Sequence, residues 1–189
     1  MNHAHDLRAI AAEFQFRGAA TSFAPFGNGH INDTHLVTCQ TAGGLVRYVL
    51  QRVNHSVFRS PAAVMQNIER VTAHLAAQFA GVPDRERRAL MLIPTRDGRN
   101  WYEDARGETW RAYCFIEKAR SYEMATSPEQ AFQAAQAFGC FQQQLASLPA
   151  PRLNETIPDF HHTPKRFAAL EQAIAADAKG RAKSARLEI

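Results

Sequence analysis

Apolar residues recur along the chain at two different spacings, and each spacing predicts a different kind of element. Spacings of three and four residues, which place side chains on one face of a helix, mark four segments. These predicted helices are a short one over 7–14, a five-turn helix from Pro61 to about Gly81, one from Pro128 to Leu148, and one from Thr163 to Ile174. Each of the last three has a serine or threonine next to a proline at its start, as expected for a capped helix.

Alternation of apolar and polar residues predicts β-strands in the first 116 residues. Turn residues, glycine above all, separate these stretches, which is typical of antiparallel strands. The expected strands are three between Phe23 and Val53 with turns at 27–29 and 43–44, one at 90–93, and a hairpin over 100–116 that turns at 104–107. These six stretches predict a sheet of about five strands.

The order of the predicted elements favours an α+β fold. An antiparallel sheet with one covering helix comes first, and a helical region follows. The change from strands to helices falls between Glu117 and Tyr122, which predicts two parts, 1–118 and 119–189.

Composition narrows the class of protein. Hydrophobic residues make up 46% and charged residues 21% of the 189 residues, as in an ordinary globular domain. The chain contains neither an apolar run of about 20 residues nor a signal sequence, so we expect no membrane partner and a cytoplasmic location. The three cysteines lack a C-x-x-C pattern and are expected to be buried thiols rather than zinc ligands.

The net charge of +4 is compatible with an anionic ligand. Three arginines lie close together, at Arg85, Arg87 and Arg88, but in a sequence typical of a solvated loop. No nucleic-acid partner is expected, because the chain has no recognition motif and no stacking aromatics among its basic residues.

A glycine-rich segment, Phe26-Gly27-Asn28-Gly29-His30-Ile31-Asn32, lies between the first two predicted strands. It has the spacing of a G-x-G-x-x-G loop with asparagine in the last glycine position, and such a loop can cover phosphates with its backbone N–H groups. Asparagine is the best substitute where a left-handed backbone is needed. The same segment is also typical of a plain tight turn, so both interpretations stay open at this point.

The third predicted strand places Val49 and Gln51 on one face. A kinase has a lysine at the position of Gln51, paired with a glutamate of the next helix, and Glu69 is the corresponding candidate. Glutamine cannot neutralise a phosphate, so Arg52, Arg47 or a magnesium ion is expected to supply the missing charge. Alternatively, Glu69 belongs to a solvated helix face.

With these segments in view, the sequence resembles the N-acetylhexosamine 1-kinases, which are bacterial sugar kinases of the aminoglycoside phosphotransferase and choline kinase superfamily. The resembling segments cover nearly the whole chain in order: FGNGHINDTHLV, RYVLQRVN, NIERVTAHL, WRAYCFIE and ETIPDFHHTPKRF.

The resemblance implies a protein-kinase-like fold and ATP-dependent phosphorylation of the anomeric hydroxyl of N-acetylglucosamine or N-acetylgalactosamine. ATP and Mg²⁺ are the implied cofactors, and a small sugar is the implied partner. The implied nucleotide-binding residues are Gly27, Gly29, His30, Asn32, Gln51 and Glu69, with Phe115, Ile116 and Glu117 as the adenine-binding hinge.

Kinase chemistry also needs a catalytic aspartate in an H-x-D loop, with an asparagine after it and a second aspartate that holds magnesium. The sequence has neither an H-x-D nor a D-F-G motif, and Asp159-Phe160-His161 lies outside any such loop. We therefore expect the catalytic residues downstream of Ile189, assign no metal ligand within the chain, and expect the 189 residues alone to be inactive. The apolar stripes of the last two helices should then be exposed.

Two alternatives remain from the sequence. One keeps the superfamily but changes the acceptor to choline, homoserine or an aminoglycoside. The other is a non-catalytic binding module, which the missing catalytic loop favours. The sequence leaves the oligomeric state open.

Overall fold

The computed structural model describes residues 5–182, 184 and 185. These residues form two compact units, divided between Thr156 and Ile157. The strands are β1 Ala19–Pro25, β2 Asp33–Thr41, β3 Gly44–Arg52, β4 Tyr102–Glu103 and β5 Thr109–Cys114. The helices are α1 Leu7–Ala12, α2 Pro61–Gln78, α3 Pro128–Leu145 and, in the second unit, α4 Thr163–Ala176.

The strands form one sheet in the order β1-β2-β3-β5-β4, and every neighbouring pair is antiparallel. This arrangement confirms the predicted α+β class with a five-stranded antiparallel sheet. β3 lies in the middle of the sheet, with β2 on one side and β5 on the other.

The main core lies on the face of the sheet that α1 covers. Trp110 and Leu50 from the sheet and Phe14, two residues after α1, are almost completely buried there. The register explains which side chains share this face, because Leu50 pairs with Ala112 and Arg52 with Trp110. Residues between them, such as Gln51, belong to the opposite face.

Helix α2 begins and ends where the sequence predicts. The Ser60 hydroxyl caps it by accepting a hydrogen bond from the Ala63 backbone N–H, and Pro61 occupies the first turn. Val64, Met65 and Leu75 are its buried residues. Because Met65 lies beside β5 on the face opposite α1, the two faces of the sheet contact different helices.

The predicted strand at 90–93 is wrong. This segment makes only a single bridge, Leu92 to Tyr113, flanked by hydrogen bonds from the Ile93 and Cys114 backbone N–H groups. Pro94 follows directly, and a proline has no N–H with which to extend a ladder. Two bounds also shift, since α1 is shorter than predicted and β1 begins at Ala19 rather than Phe23.

The cysteines differ in burial. Cys39 is buried as expected, Cys114 is half-buried, and Cys140 is exposed, so the prediction of buried thiols is wrong for Cys140. Cys140 lies on α3, where no residue is buried.

The apolar stripes of α3 and α4 are mostly exposed, as expected from the sequence, although Leu145 and Ile174 are half-buried. Phe138 on α3 is 72% exposed and Phe167 on α4 is 59% exposed. Neither helix contains a buried residue.

The strands end at Cys114 and α3 begins at Pro128. The predicted change near residue 118 lies in this interval, and the division into 1–118 and 119–189 stays a prediction. Within the described residues, none of the helices has the length and apolar character that a bilayer crossing requires.

Candidate functional site

The glycine-rich segment forms an exposed loop that connects β1 to β2. Gly27 has a left-handed backbone, with φ of +82°, whereas Gly29 does not. A Cβ atom added at either glycine would have no atom within 4 Å, so the space beside both residues is open. The loop therefore leaves its backbone accessible to a ligand.

Asn32 closes the loop by a different device from the one predicted. It does not have the left-handed backbone that the G-x-G-x-x-G comparison assumed. Its side-chain Oδ1 instead accepts a hydrogen bond from the Asn54 backbone N–H at 2.9 Å, and the Asn54 amide donates to the Ile31 carbonyl at 2.8 Å. The segment after β3 thus holds the end of the loop in place.

An open groove of about 580 Å³ lies beside this loop. Gly27, Gly29 and Asn32 line it together with His35 and Arg52, and His30 does not. His35 and Arg52 belong to the face of the sheet that α1 covers, because Arg52 pairs with Trp110 and His35 with Leu50. The groove is therefore mainly on the opposite side from Gln51.

Gln51 lies at the centre of a hydrogen-bonded row across three strands. Its Nε2 donates to Thr34 Oγ1 on β2 at 2.7 Å. Its Oε1 accepts from Arg111 on β5, from Nε at 3.0 Å and from Nη2 at 2.6 Å. The amide thus links the strand that follows the glycine loop to a guanidinium on the next strand.

Glu69 does not join this row. It lies half-buried on α2, one turn after Met65, and no hydrogen bond or ion pair within the described chain connects it to Gln51 or Arg111. The Nη1 atom of Arg111 lies 3.9 Å from the Met65 sulfur instead. Gln51 therefore pairs with neighbouring strands and not with Glu69 of α2.

Arg111 is the functional candidate that the sequence analysis missed. Burial lowers the pKa of its guanidinium, and burial also raises the pKa of the neighbouring Tyr113, over whose ring the Arg111 guanidinium carbon lies at 5.3 Å. No carboxylate among the described residues lies within 4.0 Å of its nitrogens. Its position next to Gln51 depends on the register of β3 with β5, which the alternation within one strand does not specify.

The two arginines that the sequence offered as sources of charge are engaged elsewhere. Arg52 points to the other face, where its Nε donates to Asp33 at 2.8 Å and its Nη1 lies 2.8 Å from Glu108. Arg47 donates through Nε to Glu117 at 2.9 Å. Neither guanidinium is left without an acidic partner.

The predicted hinge lies next to the glycine loop. The Phe115 ring meets the Phe26 ring edge-on with 5.5 Å between centroids, and the Arg47 guanidinium carbon lies 4.3 Å from the Phe115 centroid. The hydrogen bond from Arg47 lowers the pKa of Glu117. Because Phe26 directly precedes Gly27, this contact brings the loop and the hinge together.

A second open groove, also about 580 Å³, runs along the hinge. Phe115 and Glu117 line it with Arg47, Tyr48 and Met91. Ile116 is half-buried and does not line it. The predicted hinge residues therefore border a space in which a flat, partly apolar group could lie.

No protein-family model matches the sequence. Among solved structures, the chain is similar to a spectinomycin phosphotransferase, APH(9)-Ia, whose structure was determined in complex with ADP and spectinomycin. The TM-score is 0.49 and the sequence identity is 12%. The match covers 77% of this chain and 38% of that chain, so this chain spans less than half of that protein's length.

Proposed function

We propose that this chain is the nucleotide-binding portion of an ATP-dependent phosphotransferase of the aminoglycoside phosphotransferase and choline kinase superfamily. The observation that carries the proposal is the contact between Phe26 and Phe115, which puts an open glycine loop beside the hinge segment. A nucleotide needs both features at once, because one accommodates the base and the other approaches the phosphates.

The proposed acceptor is the anomeric hydroxyl of an N-acetylhexosamine, as the sequence resemblance implies. Choline, homoserine or an aminoglycoside is the alternative acceptor, and a non-catalytic nucleotide-binding module is the alternative from another class. We propose a cytoplasmic enzyme whose catalytic base lies downstream of Ile189. Catalysis would then rest on positioning and charge neutralisation rather than on a covalent intermediate.

Magnesium has no evident ligand set in the part of the chain that the structure describes. Among the described residues, no three His, Cys, Asp or Glu side chains are placed to hold a metal ion. Asp159, in the second unit, pairs with Lys165. The Mg²⁺ implied by the resemblance is therefore assigned to none of the described residues.

Binding and turnover test this function separately. We expect the 189-residue chain to bind a fluorescent ATP analogue, to release it when unlabelled ATP is added, and to phosphorylate none of N-acetylglucosamine, N-acetylgalactosamine, choline, homoserine or spectinomycin. Absence of nucleotide binding would contradict the proposal. Turnover of any acceptor would contradict the placement of the catalytic base beyond Ile189.

A valine at Gly29 should weaken nucleotide binding without weakening the fold. Gly29 lacks a left-handed backbone and has open space around its Cβ direction, so the substitution meets no steric obstacle within the protein. A branched side chain there would still obstruct the approach of phosphates to the loop. We expect at least a tenfold loss of ATP affinity, about 1.4 kcal/mol, with the melting temperature almost unchanged.

Gly139→Val is the matched control for this variant. Gly139 lies on α3, also has no atom within 4 Å of its Cβ direction, and also lacks a left-handed backbone. The Gly139→Val variant should bind ATP with the same affinity as the unmodified chain. Equal affinities for the two variants would show that the loop is only a structural turn.

A further inference from the structure

Strand β3 carries no positive charge at the position where kinases use a lysine. Gln51 occupies that position and accepts hydrogen bonds from Arg111 on β5. We propose that Arg111 contacts the phosphates of the bound nucleotide and that Gln51 is the residue that positions it. This inference rests on the proposed nucleotide-binding function and adds to it the source of the phosphate-neutralising charge.

Arg111 has no carboxylate partner among the residues that the structure describes. A guanidinium that leaves water without an opposite charge is disfavoured, and proteins ordinarily pair it with a carboxylate or a bound anion. The contacts of its guanidinium among the described residues are to the Gln51 amide oxygen, the Met65 sulfur and the Tyr113 ring. A phosphate would supply the missing negative charge.

Two of the five N–H groups of the Arg111 guanidinium take no part in these contacts. Arginine has five N–H groups, of which one on Nε and one on Nη2 point to Gln51 and one on Nη1 points to Met65. Each Nη atom therefore keeps one N–H. Free N–H groups on a guanidinium can donate to the oxygens of a phosphate.

The strand pairing places Arg111 near the strand that leads out of the glycine loop. Arg111 pairs with Gln51 and Gln51 pairs with Thr34, which lies two residues after Asn32 at the end of the glycine loop. Two strand separations, about 10 Å, thus separate Arg111 from the strand that leads out of the loop. The guanidinium lies on the same face of the sheet as Gln51, where a kinase would have its lysine. Thr34 belongs to this face as well and also lines the groove beside the glycine loop.

Gln51 fixes the orientation of the Arg111 guanidinium. Its Oε1 accepts two hydrogen bonds from the guanidinium, while its Nε2 is fixed by Thr34. A lysine at this position would place a second cation beside Arg111. Glutamine at position 51 therefore stabilises Arg111 by accepting its hydrogen bonds. A lysine there would instead repel the guanidinium.

The test compares ligands with and without phosphates. In the full 189-residue chain, R111M should lower the affinity for ATP at least tenfold and leave the affinity for adenosine within about twofold. R99M is the matched control, because Arg99 lies in a separate turn where its Nε donates to Asp97 at 2.8 Å, and it should change neither affinity. Isothermal titration calorimetry of the unmodified chain and the two variants, each with ATP and with adenosine, measures all six constants.

A charge returned to β3 should compensate for the lost arginine. The double variant Q51K/R111M should regain most of the ATP affinity that R111M loses, since lysine then occupies the strand position. If R111M does not fold, R111K replaces it, because lysine keeps the charge but cannot make the paired hydrogen bonds to Gln51. R111K should still bind ATP more weakly than the unmodified chain, and adenosine equally well.

Unchanged ATP affinity in R111M, or equal losses for ATP and adenosine, would overturn the role of Arg111. Tripolyphosphate distinguishes this failure from failure of the nucleotide-binding function. If the unmodified chain binds tripolyphosphate but not ATP, the proposed nucleotide-binding function is wrong. In that case the phosphate-binding role of Arg111 stands only if R111M loses tripolyphosphate binding. If the unmodified chain binds neither, both proposals are wrong.

Discussion

Replacing Trp110 by alanine is expected to lower the free energy of unfolding by about 3–5 kcal/mol, the usual cost of removing a large aromatic side chain from a core. Trp110 has no exposed surface and lies in the cluster that joins the sheet to α1. Its indole Nε1 also donates a hydrogen bond to Asp104 Oδ2 at 3.0 Å. The variant therefore leaves both a cavity and a carboxylate that has lost a donor.

The chain contains a second tryptophan that serves as the control. Trp101 is only half-buried, and the Arg99 guanidinium carbon lies 5.8 Å from its ring. Trp101→Ala should cost about 1 kcal/mol, as expected of a partly exposed position. Urea unfolding followed by circular dichroism compares the two variants, and equal losses would contradict the placement of the core on the α1 face.

Gly18→Ala is expected to destabilise the sheet by about 3 kcal/mol or more, from backbone strain and overpacking together. Gly18 has φ of +84°, and an added Cβ would lie 2.2 Å from the Gln40 carbonyl oxygen and 2.8 Å from Thr41 Cγ2. Since Ala19 pairs with Gln40, relief of this clash requires β1 to move away from β2.

Gly27→Ala separates the two causes. Gly27 has nearly the same φ, +82°, but no atom within 4 Å of its Cβ direction. It should cost only the left-handed strain, about 1–2 kcal/mol. Thermal and urea unfolding of both variants give the difference, and a Gly18 variant no less stable than the Gly27 variant would contradict the close approach of Gly18 to β2.

Those parts of the fold that depend on local sequence were predictable. Ser60 and Ser127 act as helix caps, and the helices after them begin at Pro61 and Pro128 as expected. The segment 90–93 shows the limit of this reasoning. Its apolar run is compatible with a strand, but only one bridge to Tyr113 forms before Pro94.

The candidate site was predictable in part. The sequence singles out the glycine-rich loop and the segment 115–117 as candidates, and in the structure these two segments are in contact through Phe26 and Phe115. It does not identify Arg111, because strand order and register decide which residue of β5 lies beside Gln51. The sequence also assigns Asn32 a backbone role in the loop. In the structure the Asn32 side chain holds the end of the loop, because its Oδ1 accepts a hydrogen bond from the Asn54 backbone N–H.

The pairing of Gln51 with Arg111 also constrains how this protein can diverge. Because the amide oxygen accepts two bonds from the guanidinium, a change at either position alone leaves the other without its partner. Among relatives of this chain, positions 51 and 111 should therefore change together, with glutamine accompanied by arginine and lysine accompanied by an uncharged residue. A relative with lysine at 51 and arginine at 111 would have two adjacent cations, and we expect such a pair only where an acidic side chain has been acquired beside them.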